Sequence, residues 1–420
     1  MAATTTTLSA ITKVFYVSNE LNDQLNAQSV LYDKLARPAM LDASGKNYTY
    51  AIRTSRNRNA GIGIAEGGSF ATADNQGTTN IVVPDTQITT SIELSGRIIK
   101  AATGPGKGAF VSAMRLEVDG GRDDTIRSIN RQLHSDGVDA LAYWFGTDDA
   151  TPATVDDGQG NAFVHLETGA TSVDVLDASS SYASLGTRTL TLGAEAATNY
   201  AVSWTGGAIT GVQDNDPVVL SGTKGYQMMG IRGVISDVDP PLLGSGLHGL
   251  DVATYPYWKA QAFDNPLGAG TLRDLTLELM QKPLTQIAIR SSVTDADIKF
   301  LMCNGPVKDK FIALLIADQR HVNTTTLKGG QTSVDFNGRP LIVDPQCRHN
   351  VLYYIAPKTM DVLTSSNGLV WADFEDGAMW QKKPGTNTYM DAYQAFLVFY
   401  GNLACKIRNG NAILRDISEA

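Results

Sequence analysis

The chain has little cysteine, no long apolar run and no surplus of positive charge, and each shortage closes off a class of function. Its three cysteines, Cys303, Cys347 and Cys405, are odd in number and show no C-x-x-C spacing. That argues against a disulfide framework or a zinc knuckle and points to a reducing compartment. The longest aliphatic run, 311–317, is too short to cross a bilayer, and the N-terminal MAATTTTLSAITK is polar and Thr-rich instead of basic then apolar. No membrane anchor or secretion signal is therefore expected. Thirty-four basic against 43 acidic residues leave a formal charge of -9. Phosphate binding needs clustered Lys and Arg, so an electrostatic nucleic-acid binder is not expected.

Catalytic spacing is missing as well. Gly61-Ile62-Gly63 followed by Gly67-Gly68 imitates a dinucleotide loop with the wrong spacing and no strand-to-helix turn around it. Gly106-Lys107-Gly108 imitates a phosphate loop, but Gly108 stands where a Ser or Thr must hold magnesium, and Ala101 replaces the leading Gly. The histidines His134, His165, His248, His321 and His349 are scattered one per segment, without a metal-ligand offset. Gly244-Ser245-Gly246 is not a nucleophile elbow, and the Asp pairs 148/149, 156/157 and 237/239 lack the frame of a calcium loop. No catalytic, cofactor-binding or metal-binding residue is assigned, and no enzyme activity is expected.

What is present is bulk and pattern. With 420 residues, 43% of them hydrophobic, the chain can build one large domain or two to three smaller ones. Residues 8–35 carry apolar side chains at mixed spacing up to Pro38, which reads as an arm with one short helix. Tyr48, Tyr50 and Ile52 alternate with polar residues, as do Ile88, Thr90, Ile92 and Leu94, so two strands bracket 53–86. That Gly-, Asn- and Thr-rich connection of about 30 residues is far longer than a hairpin loop. Its apolar tail, Ile81-Val82-Val83, must pack on something.

A long helix follows, running from Ala109 to near Ser135, with Phe110, Met114, Val118, Ile126, Ile129 and Leu133 on one face. Gly120-Gly121 in its middle permits a bend. Its other face alternates in charge, with Arg115, Arg122, Arg127 and Arg131 among Glu117, Asp119, Asp123 and Asp124. Such a face suits either solvent or a neighbouring subunit. Over 151–222 the composition shifts to Asp, Gly, Ser and Thr, and the segments FVHLE, SVDVL, RTLTL, YAVSW and PVVL read as a five-stranded insertion, barrel or half-barrel. Beyond it the pattern predicts helices over 271–281, ended by Pro283, and 306–318. Strands are predicted over 297–302, 333–343, 351–355, 361–363, 389–400 and 404–414. The order indicates an α+β fold instead of a doubly wound parallel sheet.

An arm, a long two-stranded extension, a long amphipathic helix and a mixed remainder, in that order, resemble the major capsid proteins of tailed bacteriophages with the Hong Kong 97-type fold. Segments similar to one branch of that family are 25–33 (LNAQSVLYD), 57–68 (NRNAGIGIAEGG), 129–133 (INRQL), 254–259 (TYPYWK), 336–344 (FNGRPLIVD) and 400–403 (YGNL). The resemblance implies an N-terminal arm at 1–46, an E-loop extension with flanking strands at 47–96 and a spine helix at 97–136. It further implies an A-domain at 137–150 and 223–357, a β-barrel-like insertion at 151–222, a P-domain return at 358–400 and C-terminal strands at 401–420.

The function implied is a structural subunit of an icosahedral phage head that self-assembles into pentamers and hexamers and encloses double-stranded DNA. Assembly would take place in the bacterial host cytoplasm, with separate portal and decoration proteins as partners and with scaffolding either supplied by another polypeptide or not needed. Self-scaffolding members carry a long helical segment ahead of the arm, and here the arm begins almost at Met1, so nearly full-length chains are expected in mature shells. Arg53, Arg56, Arg58 and Glu66 at the extension, with Arg115, Arg122, Arg127 and Arg131 on the helix, are the candidate subunit-interface residues. Some members are cross-linked through a lysine on the extension. Between Asn47 and Ile99 this chain has arginines but no lysine, so that cross-link is not expected. Two other readings stay open: an encapsulin-like compartment shell, and a β-rich adhesin or carbohydrate-binding protein, which the missing secretion signal disfavours.

Overall fold

The structure describes residues 30–35, 47–96 except 58, 60, 62, 71 and 73, 107–149 except 148, 153–156, 171–196, 199–317 except 269, 324–326, 332–372, 380–384 and 389–419. In the computed structural model a single-turn helix, α1 (Val30–Lys34), sinks Leu31, Tyr32 and Leu35 into the main core. The rest of the 8–35 arm lies outside the described residues. Strands β1 (Asn47–Arg53) and β3 (Thr86–Ser95) form where the sequence alternates, but they are not partners. Strand β2 (Thr78–Pro84) contains the Ile81-Val82-Val83 run and pairs antiparallel with β1, from Asn47↔Pro84 to Arg53↔Thr78. The extension is thus a hairpin whose apolar tail is its own return strand.

Helix α2 (Lys107–His134) is 28 residues long, about 42 Å at 1.5 Å per residue. It stays helical through Gly120-Gly121, and the reason for a glycine here is proximity. A Cβ on Gly121 would lie 3.0 Å from Cδ1 of Ile92, so its absence lets the helix rest directly on β3. Thr125 and Thr90 share a 2.7 Å hydrogen bond across the same contact.

Six strands, β4 (Ala142–Phe145), β5 (Ala153–Asp156), β6 (Thr171–Asp177), β7 (Ala183–Ala196), β8 (Asn199–Trp204) and β9 (Pro217–Leu220), close into a barrel in the order β4-β5-β8-β7-β6-β9. Val155, Val173, Val175, Leu190, Val202 and Val218 fill it, with the rings of Trp144 and Trp204 5.6 Å apart. The sequence reading missed β4 and β5, because four residues allow too few alternations to register and β4 precedes the change of composition. FVHLE lies outside the described residues.

The remaining elements are α3 (Ile231–Val234), β10 (Gln261–Phe263), α4 (Leu277–Arg290), β11 (Phe300–Cys303), α5 (Gly305–Ala317), β12 (Thr324–Thr326), β13 (Thr332–Phe336), β14 (Arg339–Val343), β15 (Leu352–Ile355), β16 (Met360–Trp371), β17 (Gln381–Pro384), β18 (Tyr389–Cys405) and β19 (Ala412–Leu414). Seven of the strands make a mixed sheet ordered β10-β19-β15-β11-β14-β13-β12. Strand β18 is the centre of a second sheet, with β16 and β17 along one edge and β3 along the other. This is the α+β architecture expected.

Three local readings are corrected. Proline 283 does not end a helix: α4 passes through it because Met280, Pro283, Leu284 and Ile287 form one buried stripe whose packing offsets the missing backbone donor. Residues 333–343 are not one strand, since Asn337 and Gly338, both at positive φ, turn the chain between β13 and β14. Nor are 404–414 one strand: β18 ends at Cys405 and a 3-10 turn at Arg408–Gly410 precedes β19.

Candidate functional site

The hairpin extension divides into a fixed base and a projecting loop. At the base, Tyr48 and Val83 pack on Leu363 and Ala404, while Ile81 packs on Leu250 and Trp258. Trp258 belongs to the TYPYWK segment, whose Pro256–Trp258 turn thereby forms part of the platform under the hairpin. Polar contacts complete the attachment. The Val82 amide donates to the His248 carbonyl at 3.0 Å, the Asn402 amide group to the Pro84 carbonyl at 2.8 Å and the Tyr50 hydroxyl to Asp361 at 3.4 Å. Lys406 pairs with the same carboxylate at 2.6 Å and lies 5.7 Å from the centre of the Tyr50 ring. Burial, followed by the Asp361 charge, pushes the Tyr50 phenol up to about 12, so it remains a donor at cellular pH.

Beyond Arg53 the described residues of the hairpin form no core. The 54–77 loop is held by polar bonds to itself: the Thr54 amide to the Gly77 carbonyl at 2.9 Å, the Gly77 amide to the Ser55 hydroxyl at 2.9 Å and the Asn59 side chain to the Thr72 carbonyl at 2.8 Å. Ile64 is 46% and Phe70 90% exposed. Exposed apolar side chains such as these leave the loop a surface that another surface can cover, which would offset its ordering entropy.

The expected interface residues fall into two groups that do not touch each other among the described residues. Arg53, Arg56 and Glu66 are exposed on the extension and make no ion pair there, Arg53 donating only to the Ser55 carbonyl at 3.4 Å. Arg58 and the side chain of Arg115 lie outside the described residues. On α2, Arg122 bonds Asp123 at 3.1 Å with Asp119 at 3.8 Å, and Arg127 faces Asp124 at 3.8 Å on the open surface. Arg131 grips buried Asp139 with two bonds of 2.8 and 2.7 Å, which ties the helix end to the following turn. Arg122 and Arg131 are therefore engaged inside the subunit, whereas the Arg127–Asp124 pair is open to a partner.

Sequence reasoning missed the polar residues that hold the extension and the platform beneath it in place. Asn402, inside the apolar β18, accepts from the Met229 amide at 2.9 Å while donating to Pro84. His248 accepts from the Cys405 amide through Nε2 at 3.1 Å. Arg408, fully buried, donates to the carbonyls of Val234 at 2.9 Å, Gly233 at 3.2 Å and Val238, and pairs with Asp239 at 3.3 Å. The usable signal was a polar residue interrupting a strand, as Asn402 does in YGNL. Among the described residues no group of three or more His, Cys, Asp or Glu could hold a metal ion, and no helix is long and apolar enough to cross a membrane.

No family model matches the sequence, and no curated protein does. Solved structures do. The chain is similar to the capsid asymmetric unit of cyanophage A-1(L), with a TM-score of 0.55 and 11% identity over 94% of this chain and 93% of that one. It is also similar to the holo-SrpI encapsulin complex from Synechococcus elongatus, with a TM-score of 0.45 and 10% identity over 93% and 88% of the two chains. For Gordonia phage Cozz the TM-score is 0.42, with 11% identity over 92% and 86%. The cyanophage match shows that the fold is the capsid fold expected from the order of elements, of Hong Kong 97 type with a small closed barrel inserted.

Proposed function

We propose that this chain is the major capsid subunit of a tailed phage, assembling as pentamers and hexamers into an icosahedral shell around double-stranded DNA. The observation that carries the reading is end-to-end agreement in fold with the cyanophage capsid, which spans 94% of this chain and 93% of that one. The exposed 54–77 loop supports it, because a neighbouring copy is the surface on which Phe70 and Ile64 would be covered. Arg53, Arg56, Arg58 and Glu66 would then meet that neighbour, as would the open Arg127–Asp124 pair of α2. The barrel would stand as a surface module. The role is structural, and the net charge of -9 suits a container that must release its DNA instead of gripping it. Scaffolding, portal and decoration proteins are the partners to seek.

Sedimentation tests this reading. Expressed with its neighbouring genes, the chain should travel as particles of megadalton size. A chain that stays a monomer in every such combination would refute it. Particles packed with protein cargo, without portal or terminase genes nearby, would make it a compartment shell.

A further inference from the structure

We infer that a cleft between the barrel and the seven-stranded sheet, framed by Arg232, Arg348 and Arg415, binds a phosphate-type oxyanion. The cavity measures about 270 Å³, whereas a single water needs only about 10–15 Å³. Two of the three guanidinium groups already have carboxylate partners. Arg232 pairs with Asp136 at 3.3 Å, and Arg415 pairs with Asp237 at 3.0 Å and Asp264 at 3.1 Å. Asp239, which also lines the cleft, is held by Arg408 at 3.3 Å. The Arg348 guanidinium has no hydrogen bond or ion pair among the described residues.

Arg348 is open to solvent although protein surrounds it, as befits a side chain that projects into a cavity. Its guanidinium is held below its ordinary value first by the like charge of Arg232 and then by burial. Arg232 and Arg348 line one cavity with Asp136 as the only carboxylate paired to either of them among the described residues, and an added anion would relieve the repulsion between the two cations. The hydroxyls of Tyr182 and Ser236 on the same walls can donate to it. A guanidinium fork matches two oxygens of an oxyanion. A tetrahedral phosphate can offer oxygens to more than one fork at once, whereas a monocarboxylate has only two.

The test is isothermal titration of the full-length chain in chloride buffer at fixed ionic strength. The probes are inorganic phosphate, acetate, and a 5′-phosphorylated oligodeoxynucleotide beside its dephosphorylated twin. The Arg348→Gln protein loses no internal bond and sheds a repulsion, so in phosphate-free buffer it should melt at or above the wild-type temperature. Phosphate affinity should fall at least about tenfold in that variant, and acetate should bind neither protein measurably. A response confined to the phosphorylated oligonucleotide and abolished by Arg348→Gln would support the site and name a nucleic-acid end as its ligand. Phosphate binding equally to both proteins, measurable acetate binding as tight as that of phosphate, or no response to any probe at millimolar concentration would overturn the inference.

Discussion

Two buried residues near the extension's platform show how much of the subunit rests on single side chains. Arg408 satisfies three carbonyls and one carboxylate without any exposure of its own. Arg408→Ala would leave these acceptors unpaired, and breaking a buried ion pair typically costs about 3–5 kcal/mol. The urea midpoint of the variant should fall accordingly, or no soluble protein should be recovered. An unfolding free energy within about 0.5 kcal/mol of wild type would mean that water replaces the arginine freely. Beside it, His248 is neutral: burial, with Arg408 adding its charge, pushes the imidazole from 6.5 down to about 3. Between these values an unfolded chain takes up a proton that the folded chain refuses. Stability is therefore full above 6.5 and falls as pH drops toward 3, by at most about 1.4 kcal/mol per pH unit from this residue. His248→Asn tolerates the residue's positive φ of 56° and should flatten that slope between pH 6 and 4. An unchanged slope would assign the loss to the carboxylates.

Elements with a strong period were legible, and those fixed by a partner were not. The face of α2 from Val118 to Leu133 and the alternation in β1 and β3 state their own geometry, and the helix bounds agree to within two residues. The pairing of β1 with β2 was hidden because Ile81-Val82-Val83 does not alternate in hydrophobicity. Its alternation appears only in burial, Ile81 and Val83 being buried and Val82 exposed, with the platform at Leu250 and Trp258 on one side. Of the candidate interface, the charges could be seen in the sequence, but the capture of Arg131 by Asp139 depends on a turn that no periodicity encodes.

The barrel has a core of its own, and its first and last strands are hydrogen-bonded neighbours, Ala142 opposite Val218. Replacing 142–220 by a short Gly/Ser linker should therefore leave a soluble subunit that still assembles, as size-exclusion chromatography and microscopy would show. The variant does lose the Arg232–Tyr143 contact and uncovers Val138 and Leu242, so a lower melting temperature is expected. Loss of all folded protein would mean that the barrel is part of the main core. For the extension, amide exchange in 54–77 should be fast in free subunits and slow in shells. Equal protection in both would remove the neighbour from the account.

At the level of the whole molecule, a shell of the kind proposed would draw its stability from repeated contact. The extension carries no lysine between Asn47 and Ile99, and a guanidinium stays protonated and cannot act as an amine nucleophile. Obligate interfaces commonly bury about 2,000–5,000 Å² each, enough to hold a shell without covalent links. Mature particles boiled in detergent should run as one band near 44.9 kDa, whereas a ladder of pentamers and hexamers resistant to reductant would place the chemistry on a lysine elsewhere. The most direct measurement is a cryo-electron-microscopy reconstruction of particles from the chain expressed with its neighbouring genes. A closed icosahedral shell with fivefold and sixfold clusters, and with the 54–77 loop lying across an adjacent copy, is the predicted result. Open sheets or isolated subunits, or a shell in which that loop folds back on its own chain, would contradict it.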